Sequence, residues 1–529
     1  MDSLRAALPN LDTLPPDSLR SLILAQHQEL LAVQEQLLAH QSEIEHLKLL
    51  LAKLRRIQFG RRSEKLARQI EQLELKLEHL ESQRAPSASV SENPPAGETA
   101  SASGKPGRRP LPEHLPRQIR RYEPKHQACP ECGGELRKLG EDVSEVLECV
   151  PASFYVIRHV RPKLSCAGCD VIVQAPAPSR PIERGLAGPG LLAHVLTAKF
   201  GDHLPLYRQS EIYAREGVDL DRSTLAQWVG ESSQLLRPLV EAMRAYVMSG
   251  NKLHADDTPV PVLAPGNGKT KTGRLWTYVR DDRPAGDPAA PAVWFGYSAD
   301  RKGEHPQQHL REYRGTLQAD AYAGFEQLYK EDGRIQEAAC WAHVRRKFYD
   351  LLEAHRSPIA GEAIERIGQL YAIEKEIRGR PPDQRRTVRQ TRSRPLLVSL
   401  HDWFEASLLK LSRKSDTTAA IRYALTRWDA LVRYCEDGRI EIDNSAAERA
   451  LRAVALGRKN YLFAGSDAGG ERAAAIYSLI GTAKLNELDP EAYLREVLTR
   501  IADHPVNRIA ELFPWNLVPA GARATHPAA

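Results

Sequence analysis

Apolar residues recur every seven positions near the start of the chain. Leu30, Leu37, Ile44 and Leu51 form one seam; Val33, Leu47 and Leu54 form a second, with His40 as its polar member. A helix with such a stripe buries it only against another helix, so residues 17–83 are predicted to be a coiled coil whose register His40 helps set. The phase breaks at Phe59-Gly60-Arg61-Arg62-Ser63 and resumes through Leu66, Ile70, Leu73, Leu77 and Leu80. The two stripes fit a helical hairpin or a self-association zipper, and the length of both segments favours the zipper. Residues 85–116 then hold seven prolines, three glycines, five serines and no aromatic residue. So little apolar surface cannot offset the entropy of ordering, and 84–118 reads as a flexible linker.

Further on the period changes. Val146–Val150 and Phe154–Val160 are strand-like. From Gly188 to Leu239 the pattern is helical, with Leu206–Glu216 as one helix, a break at Gly217, and Ser223 able to cap the next. That is a helix-turn-helix outline, in which Arg208, Arg215 and Arg222 can face phosphates. Lys252–Leu263, Arg274–Val279 and Ala292–Tyr297 read as strands, and a fourth ends at Asp320. A mostly helical stretch comes after it, and Glu441–Arg452 reads as a helix. Three strands, an aspartate-bearing strand and a helix with a glutamate form the outline of an RNase H-like domain.

Composition narrows the picture. At about 150 residues per domain, 529 residues suggest three or four domains. A net charge of +6 is compatible with nucleic acid. No run of eighteen apolar residues predicts a membrane span, and the first residues lack the pattern of a secretory signal. Seven cysteines, four of them in two C-x-x-C pairs, argue against a disulfide scaffold and for a reducing cytoplasm with one metal site. Cys129 and Cys132 are separated by 33 residues from Cys166 and Cys169. Two such knuckles joined by strands predict a zinc ribbon with one tetrahedral Zn2+ over 119–175. Cys149 is predicted to be merely buried.

The carboxylates suggest chemistry. Asp256 and Asp257 are neighbours on one strand and so face opposite ways. Asn444, Glu448 and Arg452 fall at i, i+4 and i+8 on one helix face. Phosphoryl transfer with two hard cations, Mg2+ or Mn2+, needs acidic oxygens converging from separate elements. Basic groups around such a site would neutralise DNA phosphates. They include Arg345, Arg346 and Lys347, the seven arginines from Arg378 to Arg394, and Arg458 and Lys459. The 378–394 run, beside Pro381-Pro382, reads as a solvated loop. Cys340 and His343 suggest a zinc site, but a buried cysteine and a packed histidine are the preferred reading. Gly268-Lys269-Thr270 lacks the leading glycine of a P-loop, which excludes an NTPase reading.

Phe59-Gly-Arg-Arg-Ser-Glu-Lys, the two knuckles, His203-Leu-Pro-Leu-Tyr-Arg, Ala255-Asp-Asp-Thr-Pro-Val, Gln318-Ala-Asp-Ala-Tyr-Ala-Gly, Cys340-Trp-Ala-His-Val-Arg-Arg-Lys-Phe, Asp443-Asn-Ser-Ala-Ala-Glu-Arg-Ala-Leu-Arg and Gly457-Arg-Lys-Asn-Tyr-Leu-Phe-Ala-Gly-Ser occur in this order. In them the chain resembles bacterial transposases of the insertion-sequence sixty-six family over nearly its whole length. The resemblance implies a leucine zipper, a zinc-binding domain, a DDE catalytic domain and a short C-terminal domain. Its catalytic triad maps onto Asp256, Asp320 and Glu448, with Asn444 and Arg452 in support. Two departures stand out: Asp257 where the family has glutamate, and Ser445 where it has a second asparagine.

The expected fold class is therefore multidomain α+β. It comprises a coiled coil, a zinc ribbon, a helical DNA-binding region, and an RNase H-like α/β catalytic domain with a mostly helical insertion. The expected boundaries are 186–470 for the transposase domain, made of a helical part at 188–239, a core at 250–345 and 440–470, and an insertion at 346–439. A C-terminal domain is expected at 475–517. The expected activity is cleavage at insertion-sequence ends and strand transfer into target DNA. The alternatives are a non-catalytic DNA-binding remnant and a nuclease that cuts without joining. Expected partners are element-end and target DNA, further copies of the chain through the coil, and small companion proteins of the same element. No membrane partner is expected; the expected location is cytoplasmic, at the nucleoid when active.

Overall fold

The computed structural model describes residue 28 and residues 111–517, except 112, 114, 124–131, 133, 151–152, 265–268, 321, 331–332 and 461–463; at 136, 149, 150 and 459 only the backbone is described. The predicted coiled coil, apart from residue 28, and most of the linker lie outside these residues, as does Cys129.

Fourteen helices and two mixed sheets are found among the described residues, an α+β architecture. The first sheet consists of β1 (Arg117–Arg121), β2 (Leu136–Val150), β3 (Ser153–Cys166) and β4 (Ile172–Gln174). β2 and β3 form a long antiparallel hairpin; β1 joins β3 in parallel, and β4 pairs the tip of β3. The turn end of the hairpin packs into the same core as the helices C-terminal to it. Leu147, Phe154 and Val156 belong to that main core, and the buried Glu148 accepts the N–H groups of Gly190 and Leu191. Those amides open α1 (Pro189–Phe200), where the first turn has donors without helical partners and favours an anion.

α2 (Leu206–Arg215) and α3 (Arg222–Met248) are separated by a turn in which Gly217 has φ +79°. The turn falls where glycine predicted it. α3 differs from the expectation: it begins after Asp221, runs through Pro238 and ends nine residues beyond 239. Leu225, Trp228, Leu236, Leu239, Met243 and Val247 bury it in the main core, and that apolar face is what carries it past the proline.

The second sheet contains β5 (Lys252–Leu263), β6 (Thr270–Arg280), β7 (Ala292–Ser298), β8 (Gly315–Gln318) and β9 (Ile335–Ala338), in the order β7-β6-β5-β8-β9. β5, β6 and β7 form an antiparallel meander; β8 and β9 run parallel to β5. The short helices α4 (Glu304–His309) and α5 (Glu326–Lys330) lie in the crossovers.

A second hydrophobic core belongs to α6 (Trp341–His355), α7 (Pro358–Ile377), α9 (Arg394–Leu408), α10 (Asp416–Leu425) and α11 (Trp428–Val432), with α8 (Pro382–Val388) tied to α7 by Arg385 and Glu374. Trp341, Phe348, Ile367, Phe404 and Ile421 are its centre, and it also takes in Ala338, Ile440 and Ile442. The packed unit is thus wider than 346–439. α12 (Ser445–Asn460), α13 (Asp467–Leu485) and α14 (Pro490–Arg500) return to the main core. α13 closes the outer edge of the sheet. The Val293 N–H donates to Thr482 Oγ1 (3.1 Å) and the Phe295 N–H to Ser478 Oγ (2.8 Å), which satisfies amides that an edge strand would otherwise expose. No described helix is long and apolar enough to cross a membrane.

Candidate active site

Alternation along β5 sends Asp256 and Asp257 to opposite faces. The Asp257 side chain is fully buried between Arg274 (Nη1–Oδ2 2.9 Å) and Arg301 (Nη2–Oδ1 2.7 Å), so its charge is met on its own side of the sheet. Asp256, half-buried, accepts the Asp257 N–H (2.7 Å) and has no ion pair with a described residue. Burial, with the charges of Asp320, Asp257 and Glu448, pushes its carboxyl up to about 7.

Asp320 lies two residues beyond the last paired position of β8, Gln318 opposite His254. Parallel register therefore sets it level with Asp256. Burial and the Asp257 charge raise it, against the Tyr322 N–H and the charges of Arg301 and His343. Arg301 bridges the two aspartates, with Nη2 3.7 Å from Asp320 Oδ2, and its guanidinium lies over the Tyr322 ring.

Glu448 stands in the first turn of α12. The helix starts at Ser445, not at 441, because residues 441–444 are laced to the sheet instead. Gln318 Nε2 donates to the Glu441 carbonyl (2.7 Å), and the Glu441 N–H donates back to Gln318 Oε1 (2.9 Å). Asn444 is wholly buried; its Nδ2 donates to the Ala255 carbonyl (2.8 Å) and its N–H to Cys340 Sγ (3.2 Å). Asn444 Oδ1 faces His254 Nδ1 at 3.1 Å. Burial and the Lys252 charge lower His254 to about 4, so the ring is neutral with its proton on Nδ1, donated to Asn444. β5 and β8 thus carry the aspartates and also hold the segment from which Glu448 projects.

Of the predicted supporting residues, Asn444 is this tie. Arg452 is exposed and makes no ion pair with a described residue. The sequence reading missed His343, which is not packed away. Its side chain is 30% exposed, with Nε2 3.8 Å from Glu448 Oε1, and Cys340, His343 and Glu448 place ligand-type atoms within 4.8 Å of one another. The signal was the Cys-x-x-His spacing at the start of α6, directly after a strand. Cys340 itself is buried, and burial pushes its thiol up to about 12.

The 378–394 arginines are not a solvated loop. Arg385 and Arg389, one helical turn apart, are 1% and 0% exposed. Arg389 grips Glu374 with Nε (2.8 Å) and Nη2 (2.6 Å), and Arg385 Nη1 reaches Glu441 at 2.8 Å. Their partners lie as far as 56 residues away in sequence, beyond the reach of local pattern.

Asp256, Asp320 and Glu448 offer hard oxygen donors with a deficit of positive charge, a donor set that fits divalent cations. At the open end of the β2–β3 hairpin, opposite its turn, Cys132 Sγ lies 3.4 Å from both Cys166 Sγ and Cys169 Sγ. The Gly168 N–H and the neighbouring thiols draw Cys166 down to about 6. Sulfurs about 2.3 Å from one tetrahedral ion would stand about 3.8 Å apart, so three converging thiols fit zinc.

The description "Transposase IS66 family" matches residues 184–472. Residues 126–170 match the zinc-finger binding domain of transposase IS66, 478–515 the IS66 C-terminal element, and 46–120 the family described as Transposase C of IS166 homeodomain. Uncharacterized protein y4hP of Sinorhizobium fredii is 43% identical over 501 residues, 90% of this chain and 89% of its own. Uncharacterized protein y4qI of the same organism is 40% identical over 526 residues, 95% of this chain and 97% of its own.

Proposed function

The chain belongs to the IS66 transposase family, and from that premise we propose that it is a DDE transposase that cuts the ends of its element and joins them to target DNA. The observation that supports this reading is that Asp320 and Glu448, from the end of β8 and from α12, lie near enough to Asp256 on β5 for their charges to raise its carboxyl, and that Asp256 has no ion pair with a described residue. The order β7-β6-β5-β8-β9, three antiparallel strands and then two parallel ones, supports an RNase H-like core.

Asp256, Asp320 and Glu448 would hold Mg2+ or Mn2+, which supply charge neutralisation and an activated oxygen nucleophile. The chain supplies position. Asn444 and Gln318 keep the Glu448 helix fixed to the strands that bear the aspartates, and Arg301 neutralises Asp257. Hydrolysis at the element end would free a 3′ hydroxyl, whose oxygen then attacks a target phosphodiester in line and displaces the target's 3′ oxygen. Zn2+ bound by Cys129, Cys132, Cys166 and Cys169 would clamp the open end of the hairpin. The coil at 17–83 would join copies of the chain, and companion proteins of the element complete the expected partners.

The test uses purified protein, labelled element ends, target DNA and Mg2+. Nicking and a joined product are expected. Nicking without a joined product would make the protein a nuclease of the same fold. DNA binding with neither product would make it a non-catalytic end-binding protein.

A further inference from the structure

On the flank of α12 lies a cavity of about 450 Å3 lined by Asp281, Arg283, Pro284, Arg378, Gly379 and Arg449. Its charge is lopsided. Arg283 holds both oxygens of Asp281 (Nε–Oδ1 2.9 Å, Nη2–Oδ2 2.8 Å) and donates to the Leu485 carbonyl (3.0 Å). That pair cancels, and the guanidinium is fixed in place. Arg378 and Arg449 are exposed, and neither has a hydrogen bond or ion pair to a described residue. Two uncompensated guanidinium groups therefore face one small space. The rim is tied: the Gly379 N–H donates to the Pro284 carbonyl (2.8 Å). Gly379 has φ +79° and nothing within 4 Å of an added Cβ, so the loop bends around the opening without filling it.

The cavity is separate from the carboxylates but aligned with them. Arg449 is the residue after Glu448 on α12. Asp281 falls opposite Lys252 when the β5–β6 ladder, with His254 opposite Val279, is continued. Four strand residues, about 13 Å, then separate it from Asp256. At about 3.4 Å per nucleotide that is the reach of roughly four nucleotides.

We propose that Arg378 and Arg449, backed by Arg283, form a phosphate-binding subsite that grips the DNA backbone a few nucleotides from the phosphodiester addressed by Asp256, Asp320 and Glu448. Guanidinium groups match phosphate oxygens bidentately. The proposal rests on the reading that the protein acts on DNA, and the test separates the two.

Duplex element-end binding is measured against salt for the full-length wild type, for Arg378→Ala/Arg449→Ala and for Arg378→Lys/Arg449→Lys, with melting curves as the folding control. The alanine pair should bind about tenfold more weakly, and its slope of log affinity against log salt should be shallower by about 1, since each neutralised phosphate contributes about 0.9. The lysine pair should recover most of both. Unchanged affinity and slope in the alanine pair, with wild-type binding intact, would overturn the subsite alone. If the wild type binds no duplex, the DNA reading fails, and inorganic phosphate decides what is left. A melting temperature that rises with phosphate in the wild type but not in the alanine pair would keep the site as one for small phosphate compounds. No rise would overturn it.

Discussion

Glu374 and Glu441 beside the helical insertion, and Asp256 and Asp320 on the sheet, are all carboxylates withdrawn from water, yet the chain treats the two sets in opposite ways. Burial would raise Glu441, but the charges of Arg385 and Lys252 outweigh it and hold the group below the usual carboxylate range. Glu374 has Arg389 on both oxygens. No described arginine pairs with Asp256, and burial with three neighbouring carboxylates pushes it up to about 7. Asp257, its immediate neighbour, falls with the first set because the pleat turns it toward Arg274 and Arg301. Where the sequence supplies the cation, the ion pair is part of the packing. Where it withholds one, a cation from solution has a place, and unneutralised acidic groups of this kind concentrate at functional sites.

The largest effect expected from this contrast is at the carboxylates grouped around Asp256. Glu448→Gln keeps length and helix propensity but removes an anionic ligand, and so does Asp320→Asn. Cleavage of labelled ends should fall by at least about a thousandfold, since cation charge stabilisation supplies several kcal/mol. Gel-shift affinity should stay close to wild type, because it rests on basic groups. Cleavage at wild-type rate in Glu448→Gln would remove that residue from the site and turn attention to Asp443 or Glu441.

The open end of the β2–β3 hairpin is a second place where the chain gathers potential anions, here thiols. Cys132 with Cys166 and Cys169 should bring zinc to about one ion per chain, the content of one tetrahedral thiolate site, and Cys132→Ser should lower it toward zero. Cys435→Ser should leave it unchanged, since Cys435 is buried in the core of the insertion. Elemental analysis of protein purified without chelator reads both, and equal zinc in the two variants would break the assignment.

On the paired side the expectation concerns stability. Arg389→Met leaves Glu374 buried with only Arg385 at 3.4 Å, and breaking a buried pair by removing one partner costs about 3–5 kcal/mol. Replacing Arg389 and Glu374 together by Met and Leu should recover much of that. Chemical denaturation that shows the single variant as stable as wild type would mean that these ion pairs are not what holds the insertion together.

How far the sequence disclosed this contrast depends on the distance between partners. The opposite facing of Asp256 and Asp257 comes from strand alternation alone, and the helical turn at Gly217 from one glycine. The Gln318 and Asn444 ties join residues more than a hundred positions apart, and Arg385 and Arg389 look like any other members of a charged run until Glu374 and Glu441 are seen beside them. His343 was underread for the same reason: Glu448, the group it faces, comes 105 residues later. Periodicity reports which face of an element is buried; it does not report which charges that burial brings together. The length of α3 escaped notice because a proline usually ends a helix, and only the packing of Met243 and Val247 extends this one.

The prediction that bears most directly on the Asp256 carboxylate concerns stability: Asp256→Asn should lose cleavage as Asp320→Asn does and yet stabilise the cation-free protein at pH 8. Asparagine keeps the acceptor for the Asp257 N–H and removes a charge that burial and three acidic neighbours disfavour. The pH dependence has a definite sign. An unfolded aspartate titrates near 3.9, and in the folded chain Asp256 is held up to about 7. Between these values the folded state binds the extra proton, so this group's contribution to stability falls as pH rises from about 4 to about 7 and stays low above that. With chelator present, the wild type should lose on the order of 4 kcal/mol more than Asp256→Asn across that window. Mg2+ at pH 8 should then narrow the gap, because a ligand bound only by the folded state stabilises it, by about 2.7 kcal/mol at a hundred times its dissociation constant. If Asp256→Asn is instead the less stable protein at pH 8 without cations, the chain already satisfies Asp256, and the distinction between its two classes of buried acid collapses at the residue on which it most depends.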